Sequence, residues 1–327
     1  MTSASSRILW LSVIIAAVFL LSMASLSIGT RVVDWVDIVA ALRGNVTSIG
    51  EAAASARIPR TLLAILAGGS LGLAGAVMQG VTRNPLADPG LLGVNIGASL
   101  AVVVAVAWFG ISSSEAYIWA AIAGAGVTAV LVYVIGSLGR DGATPLKLAL
   151  AGAATSIAFA SLVTAVILPR SDIAGGIRSW QLGGVGGATF ERILPVIPFL
   201  AVGLLLSLAS ARKLNSLALG DELAAGLGER VAWARAMASL GAVLLCGATT
   251  AVCGPIGFVG LVVPHACRLL FGVDHRWLLP VSALLLAADI LGRITARPSE
   301  IDVGIITALI GGPFFIWIIR RQKVREL

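Results

Sequence analysis

The chain reads as long apolar runs separated by short polar turns, a rhythm unlike that of a chain folding in water. A bilayer's hydrocarbon core, about 30 Å thick, takes roughly 20 apolar residues per helix. On that measure the runs predict ten membrane spans: Ile8–Ile28, Thr61–Gly80, Leu91–Phe109, Tyr117–Leu138, Leu146–Leu168, Ile193–Ala211, Val231–Val252, Ile256–Phe271, Trp277–Ile294 and Val303–Ile319. The eighth is short and interrupted by Pro264. The expected architecture is an all-α polytopic membrane protein, a single domain over residues 1–327.

Two interruptions stand out. One is Arg83-Asn-Pro-Leu-Ala-Asp-Pro-Gly90, running on to Gly97-Ala98. The other is Gly254-Pro-Ile-Gly-Phe-Val-Gly-Leu-Val-Val-Pro-His265 with Arg268. Irregular backbone at membrane depth survives only where protein covers it or where it lines a cavity. Broken apolar segments of this kind point to pathways.

Composition agrees with the pattern. Apolar residues make up 58% and charged residues 12%, with a mean hydropathy of +1.00, against about 45–50% and 25% in soluble chains. The first run could be a secretory signal, since Arg7 precedes it and Ser22-Met23-Ala24 resembles a cleavage site. It exceeds the roughly 7–15 apolar residues of a signal core, and more spans follow, so it reads as an anchor. The net charge of +7 does not imply nucleic acid, because cytoplasmic loops collect Lys and Arg. With the N-terminus inside, that side holds fourteen Lys and Arg and the other side nine, which favours both termini in the cytoplasm.

The remaining candidate chemistry is sparse. Cys246, Cys253 and Cys267 form no CxxC pair, so no metal, disulfide or cofactor site is expected and they read as packing residues. Gly183-Gly184-Val185-Gly186-Gly187, in the outer segment Pro169–Arg192, lacks the Lys-Ser/Thr of a phosphate loop. The segment itself reads as a hairpin or a partly inserted short helix. Gly68/Gly72 and Gly93/Gly97 have the small-xxx-small spacing of close helix packing, within one subunit or between two. His265 reads as a turn residue after Pro264, and Asp88 as a turn cap. Asp289 is a carboxylate deep in an apolar run, with Arg293 one turn on: a structural ion pair, or a group handling protons or substrate. Arg57 and Arg60 bracket a proline at the outer mouth of the second span, as snorkelling anchors or as a docking site. The largest cytoplasmic loop, Ala211–Arg230, is amphipathic and broken at Gly220. It reads as two short helices forming a projecting knob, or as a cover over the helix ends.

Arg57-Ile-Pro-Arg60, Arg83–Val94, the Leu214–Gly228 loop, Gly254–His265 and Gly311-Gly-Pro-Phe-Phe315 together resemble the permease family that imports iron-siderophores, haem and vitamin B12, the type II ABC importers of bacteria. The motifs run in the family's order from about Arg57 to Phe315. The resemblance implies a ten-helix subunit in the bacterial inner membrane, paired with a second permease subunit. It also implies an ABC ATPase dimer beneath and an extracytoplasmic substrate-binding protein above. By position it implies a cytoplasmic gate at Asn84, Leu86, Ala143 and Thr144. ATPase-coupling helices would fall at Leu214–Gly228, with Leu214, Leu217, Leu219, Gly220, Asp221, Glu222 and Gly228. Docking arginines would be Arg57, Arg60 and Arg293. Two departures are visible: Glu300-Ile-Asp302-Val-Gly304 stands where the family has Glu-Leu-Pro-x-Gly, and Ala143-Thr144 keeps only one hydroxyl at the second gate.

Three functions compete. A permease powered in trans fits a chain with three lysines, none of them after a glycine-rich loop. An intramembrane enzyme would need HExxH or clustered aspartates, which the sequence lacks. A passive channel would need no ATPase. Small or neutral candidates for the pathway are Gln79, Asn95, Ser99, Thr155, Ser156, Ser161 and Thr164, with no ring of like charges to select a bare ion. The expected cargo is a ferric siderophore, because Asn95–Ala98, Leu214–Leu217, Asp274–Trp277 and Asp289–Arg293 are most similar to permeases for catecholate siderophores such as ferric enterobactin. Cobalamin and haem are the alternatives.

Overall fold

A computed structural model describes residues 4–29, 33–90, 92–138, 144–271 and 301–321. In chain order the helices are α1 (Ala4–Ser27), α2 (Trp35–Leu42), α3 (Ile49–Thr82), α4 (Val94–Phe109), α5 (Ser114–Ser137), α6 (Pro145–Ile167), α7 (Ser171–Gln181), α8 (Phe190–Ile193), α9 (Ile197–Leu217), α10 (Asp221–Gly226), α11 (Val231–Cys253), α12 (Val259–Phe271) and α13 (Val303–Arg321). No strand occurs among the described residues. Six of these helices are long and apolar enough to cross a membrane, and α4 and α13 are shorter apolar helices. The expected all-α polytopic class holds. The ninth expected span, Trp277–Ile294 with Asp289, lies outside the described residues.

The most apolar stretches of α3 and α11 are 78% and 67% buried, against 6% for α1. Those two helices are therefore the centre. Helix α11 packs on α9, α5 and α3, while α4 packs on α5 and α6, and α12 on α3. In lipid no hydrophobic force drives helices together, so close backbone approach has to supply the attraction. Paired glycines provide it at three crossings. A Cβ on Gly124 of α5 would lie 2.4 Å from the Gly97 carbonyl oxygen of α4. One on Gly241 of α11 would lie 3.2 Å from that of Gly203 in α9, and one on Gly75 of α3 would lie 2.0 Å from that of Gly260 in α12.

Three helix boundaries differ from the hydropathy reading, for one reason: apolarity marks membrane thickness, not helix length. Helix α3 begins at Ile49 rather than Thr61, started by a capping box in which Ser48 and Glu51 satisfy each other's backbone N–H. The Arg57-Ile-Pro-Arg60 run therefore sits inside a 34-residue helix. Backbone N–H groups of Thr47 and Ser48, with the Thr47 hydroxyl, donate to the Glu51 carboxylate and hold it below its usual range. Helix α9 continues to Leu217 rather than stopping at Ala211. The eighth span becomes helical only at Val259, after a non-helical stretch from Gly254 in which Gly254 (φ 68°) and Phe258 (φ 66°) are left-handed.

The segment Pro169–Arg192 holds helix α7 followed by the glycine run, and that run has a structural task. Gly184 N donates to Cys253 O at 2.7 Å, and Gly183 O accepts from Gly304 N at 2.8 Å. It thus stitches the end of α11 to the start of α13. Gly183 (φ 71°) can supply the left-handed backbone this needs. Cys246, Cys253 and Cys267 are buried and unbonded to one another, in keeping with packing roles.

Candidate functional site

The turn between α3 and α4 is built from its own side chains. Arg83 closes α3 in the left-handed region, φ 51°, a conformation uncommon outside glycine. Asn84 Oδ1 then accepts from Leu86 N at 3.0 Å, and Asp88 Oδ1 from Gly90 N at 2.7 Å. Such side-chain-to-backbone bonds two residues on are how Asn and Asp fix tight turns. Asp88 is a turn cap as expected, and it is buried. Of the other expected gate residues, Thr144 caps α6 by accepting from Lys147 N; Ala143 lies outside the described residues.

Against this turn run the non-helical stretch 254–258 and the first turn of α12, where side chains of α3 and α4 meet backbone carbonyls. Asn95 Nδ2 of α4 donates to Ile256 O at 3.1 Å. Gln79 Nε2 of α3 donates to Gly260 O at 3.2 Å, and Gln79 Oε1 accepts from Arg268 Nη2 of α12. The stretch follows the rule that non-helical backbone at membrane depth must be enclosed by protein. His265 is not a turn cap: it lies within α12, its ring set edge-on to Phe314 with centroids 5.7 Å apart.

These bonds reassign part of the expected pathway lining. Gln79, Asn95, Ser99 and Thr155 are buried within their own subunit; Asn95 braces the non-helical stretch and Gln79 the first turn of α12. Ser99 donates to Asn95 O. Ser156 is half-buried with its hydroxyl unpartnered. Only Ser161 and Thr164 stand on an exposed face, on α6, each with its hydroxyl turned back to a helix carbonyl. Sequence marked these residues as polar in apolar runs without showing which face each would occupy.

The knob in the Ala211–Arg230 loop is smaller than expected. Leu214 and Leu217 are 1% and 0% exposed: they are the last turn of α9, packed into the main core, not part of a separate helix. The chain turns at Gly220 (φ 109°) into α10 and ends the knob at Gly228 (φ 88°). Asp221 and Glu222 open α10, where acids complement a helix N-terminus. Leu219, Leu223 and Leu227 are exposed while Ala224 is buried, so the knob presents leucines outward. Exposed apolar side chains gathered in this way mark interaction surfaces.

The expected docking arginines separate. Arg57 is buried and donates from Nη1 to Leu26 O at 2.9 Å and Ser27 O at 3.1 Å. It caps the end of α1, where a cation complements the helix dipole. Gly29 leaves it room: a Cβ there would lie 2.4 Å from the guanidinium. Arg60 is half-buried one turn on, and Arg293 lies outside the described residues. Arg57→Ala should lower the melting temperature of the purified protein, reflecting roughly 1.5–3 kcal/mol per lost charge-assisted hydrogen bond. An unchanged melt with a weakened partner interaction would return Arg57 to a docking role.

One feature left no trace in the sequence. A cavity of about 500 Å³ opens among α4, α5, α7 and α11, with Tyr117, Asp172, Trp180, Arg192 and Asp302 in its wall. Trp180 is anchored there by donating to Ala251 O, and Arg170 holds the Asp172 carboxyl below its usual range by hydrogen bonding. Residues from segments far apart in sequence meet at this cavity, which no local pattern announces.

Residues 14–321 match the FecCD transport family. The chain belongs to that family. Among its relatives, the ferric enterobactin transport system permease protein FepD of Escherichia coli is 46% identical over 82% of this chain and 81% of its own length. The iron(3+)-hydroxamate import system permease protein FhuB of Bacillus subtilis is 44% identical over 82% of this chain and 71% of its own. A solved inward-facing structure described as a metal-chelate type ABC transporter matches with a TM-score of 0.78 at 27% identity, covering 94% of this chain and 97% of that one. This FecCD protein is a multi-pass membrane transport protein, which removes the intramembrane-enzyme reading.

Proposed function

We propose that the chain is the permease subunit of an ABC importer carrying a ferric siderophore across the bacterial inner membrane. The observation that carries this reading is the 46% identity to a ferric enterobactin permease along four-fifths of both chains. In this reading the whole chain is one permease domain with both termini in the cytoplasm. It pairs with a second permease subunit, stands on an ABC ATPase dimer and receives cargo from a substrate-binding protein on the outer side. The turn at Asn84 and Leu86, with Ala143 and Thr144, closes the cytoplasmic end. The outward leucines of residues 219–228 seat the ATPase, and Arg60 with Arg293 meets the binding protein. Ser161 and Thr164, on an exposed face of α6, suit a wide and weakly polar conduit.

The test is uptake under iron starvation. A deletion strain should lose import of a radiolabelled ferric catecholate siderophore and regain it with the gene restored. Loss of cobalamin or haem uptake, with every ferric siderophore still imported, would overturn the cargo assignment in favour of one of those chelates.

A further inference from the structure

Asp221 sits where three segments distant in sequence meet. Its Oδ1 accepts from Arg235 Nη2 at 2.8 Å and stands 3.5 Å from Arg83 Nη2. Arg235 lies early in the central helix α11. Arg83 is the left-handed residue that ends α3, directly before Asn84. Gly220, the hinge into α10, is close enough that a Cβ there would lie 3.8 Å from Arg83 Nη1. One carboxylate oxygen therefore joins the turn at Asn84–Leu86, the knob and the core helix beneath them.

The three side chains are partly exposed, 43% for Arg83 and Asp221 and 25% for Arg235. Ion pairs in such settings add little to stability, so simple stapling is a poor account of this one. A bond easily made and broken suits elements that move against one another. Helix α10 is six residues long with Ala224 its buried residue, so little else fixes it. Arg83 holds a conformation that non-glycine residues adopt at a cost, a kind of strain found at switch regions.

We propose that Asp221 is the tie through which displacement of the knob is carried to the gate turn, by way of Arg83. Arg235 orients the carboxylate and anchors the knob to α11. Asp221 and Arg83 are thus positioning residues that act through Asn84–Leu86. The proposal rests on the reading of residues 84–86 as gate and of residues 219–228 as ATPase seat.

The test uses the complete transporter, with its ATPase and binding protein, in proteoliposomes, measuring ATP hydrolysis and cargo uptake together. Arg83→Gln cuts the gate side and leaves the Asp221–Arg235 bond in place. Uptake per ATP should fall about 5-fold or more, the lower end of measured site-to-site couplings, while hydrolysis persists. Arg83→Lys, which keeps the cation and leaves the Asp221–Arg235 bond in place, should recover uptake per ATP relative to Arg83→Gln. Wild-type uptake per ATP in Arg83→Gln, or hydrolysis and uptake falling in parallel, would overturn the tie. Leu223→Asp serves as the separate check on the knob. If it leaves ATPase stimulation intact, the ATPase-seat reading falls and takes the tie with it. If Leu223→Asp uncouples while Arg83→Gln does not, the tie alone falls.

Discussion

Replacing Leu223 or Leu227 with Asp is expected to abolish stimulation of the partner ATPase while leaving a folded, membrane-inserted subunit; the same change at Leu214 or Leu217 is expected to prevent folding. The four leucines fall within fourteen residues, yet they face opposite environments. Leu223 and Leu227 are 62% and 66% exposed, whereas Leu214 and Leu217 are at 1% and 0%. A charge at the exposed pair meets water in the free subunit and strips apolar contact only from an interface. A charge at the buried pair loses a core leucine, about 2–5 kcal/mol, and leaves a buried carboxylate without a partner, several kcal/mol more. That total rivals the about 5–15 kcal/mol by which a whole domain is stable. Expression and detergent-extractable yield of the four single variants, with ATPase activity of those that assemble, separate the two outcomes. A well-folded Leu217→Asp subunit would show that α9 ends earlier than described. Unaltered ATPase stimulation by Leu223→Asp would remove the knob as the seat.

The sequence made the spans legible because a bilayer imposes a length, and each run of about twenty apolar residues declares itself. Helix ends were less legible, since a helix can leave the bilayer without losing its hydrogen bonds. Ser48 with Glu51 is a readable capping box, a start signal for α3 at Ile49 despite the polar residues that follow. Lys213 and Asn215 disguised the last turn of α9 as a loop, although Leu214 and Leu217 keep a helical spacing. The resemblance supplied residue positions but not their geometry. It placed Arg57 among docking groups, whereas local packing gives it the carbonyls of α1. The polar residues Gln79 and Asn95 were found by type and misplaced by face, because their partners, at Gly260 and Ile256, lie more than 150 residues away. The glycine crossings were hidden too, because a spacing within one helix does not name the partner: Gly97 stood out through its spacing from Gly93, yet its partner is Gly124 of another helix.

Gly75→Ala is expected to cost more than most core substitutions and to disorganise the ground on which the gate turn rests. A methyl group there would lie 2.0 Å from the Gly260 carbonyl oxygen and 2.4 Å from its Cα. Both are backbone atoms, so no side chain can swing aside and α12 as a whole must shift. Overpacking that forces backbone displacement costs typically about 1–3 kcal/mol and occasionally more. Here the displaced carbonyl is also the acceptor of Gln79 Nε2, and Gly260 lies against the Asp88 carboxylate. Moving α12 therefore also pulls on the α3–α4 turn. Valine at the same place should exceed what the crossing can absorb and abolish assembly. The control is Gly175 in α7, where a Cβ would meet nothing within 4 Å. Alanine there should be neutral or stabilising by up to about 1 kcal/mol, through helix propensity alone. Thermal unfolding of the two alanine variants in one detergent makes the comparison. If Gly75→Ala melts with the wild type while Gly175→Ala does not, α3 and α12 do not cross at this glycine pair, and the bond from Gln79 to the start of α12 falls with that crossing.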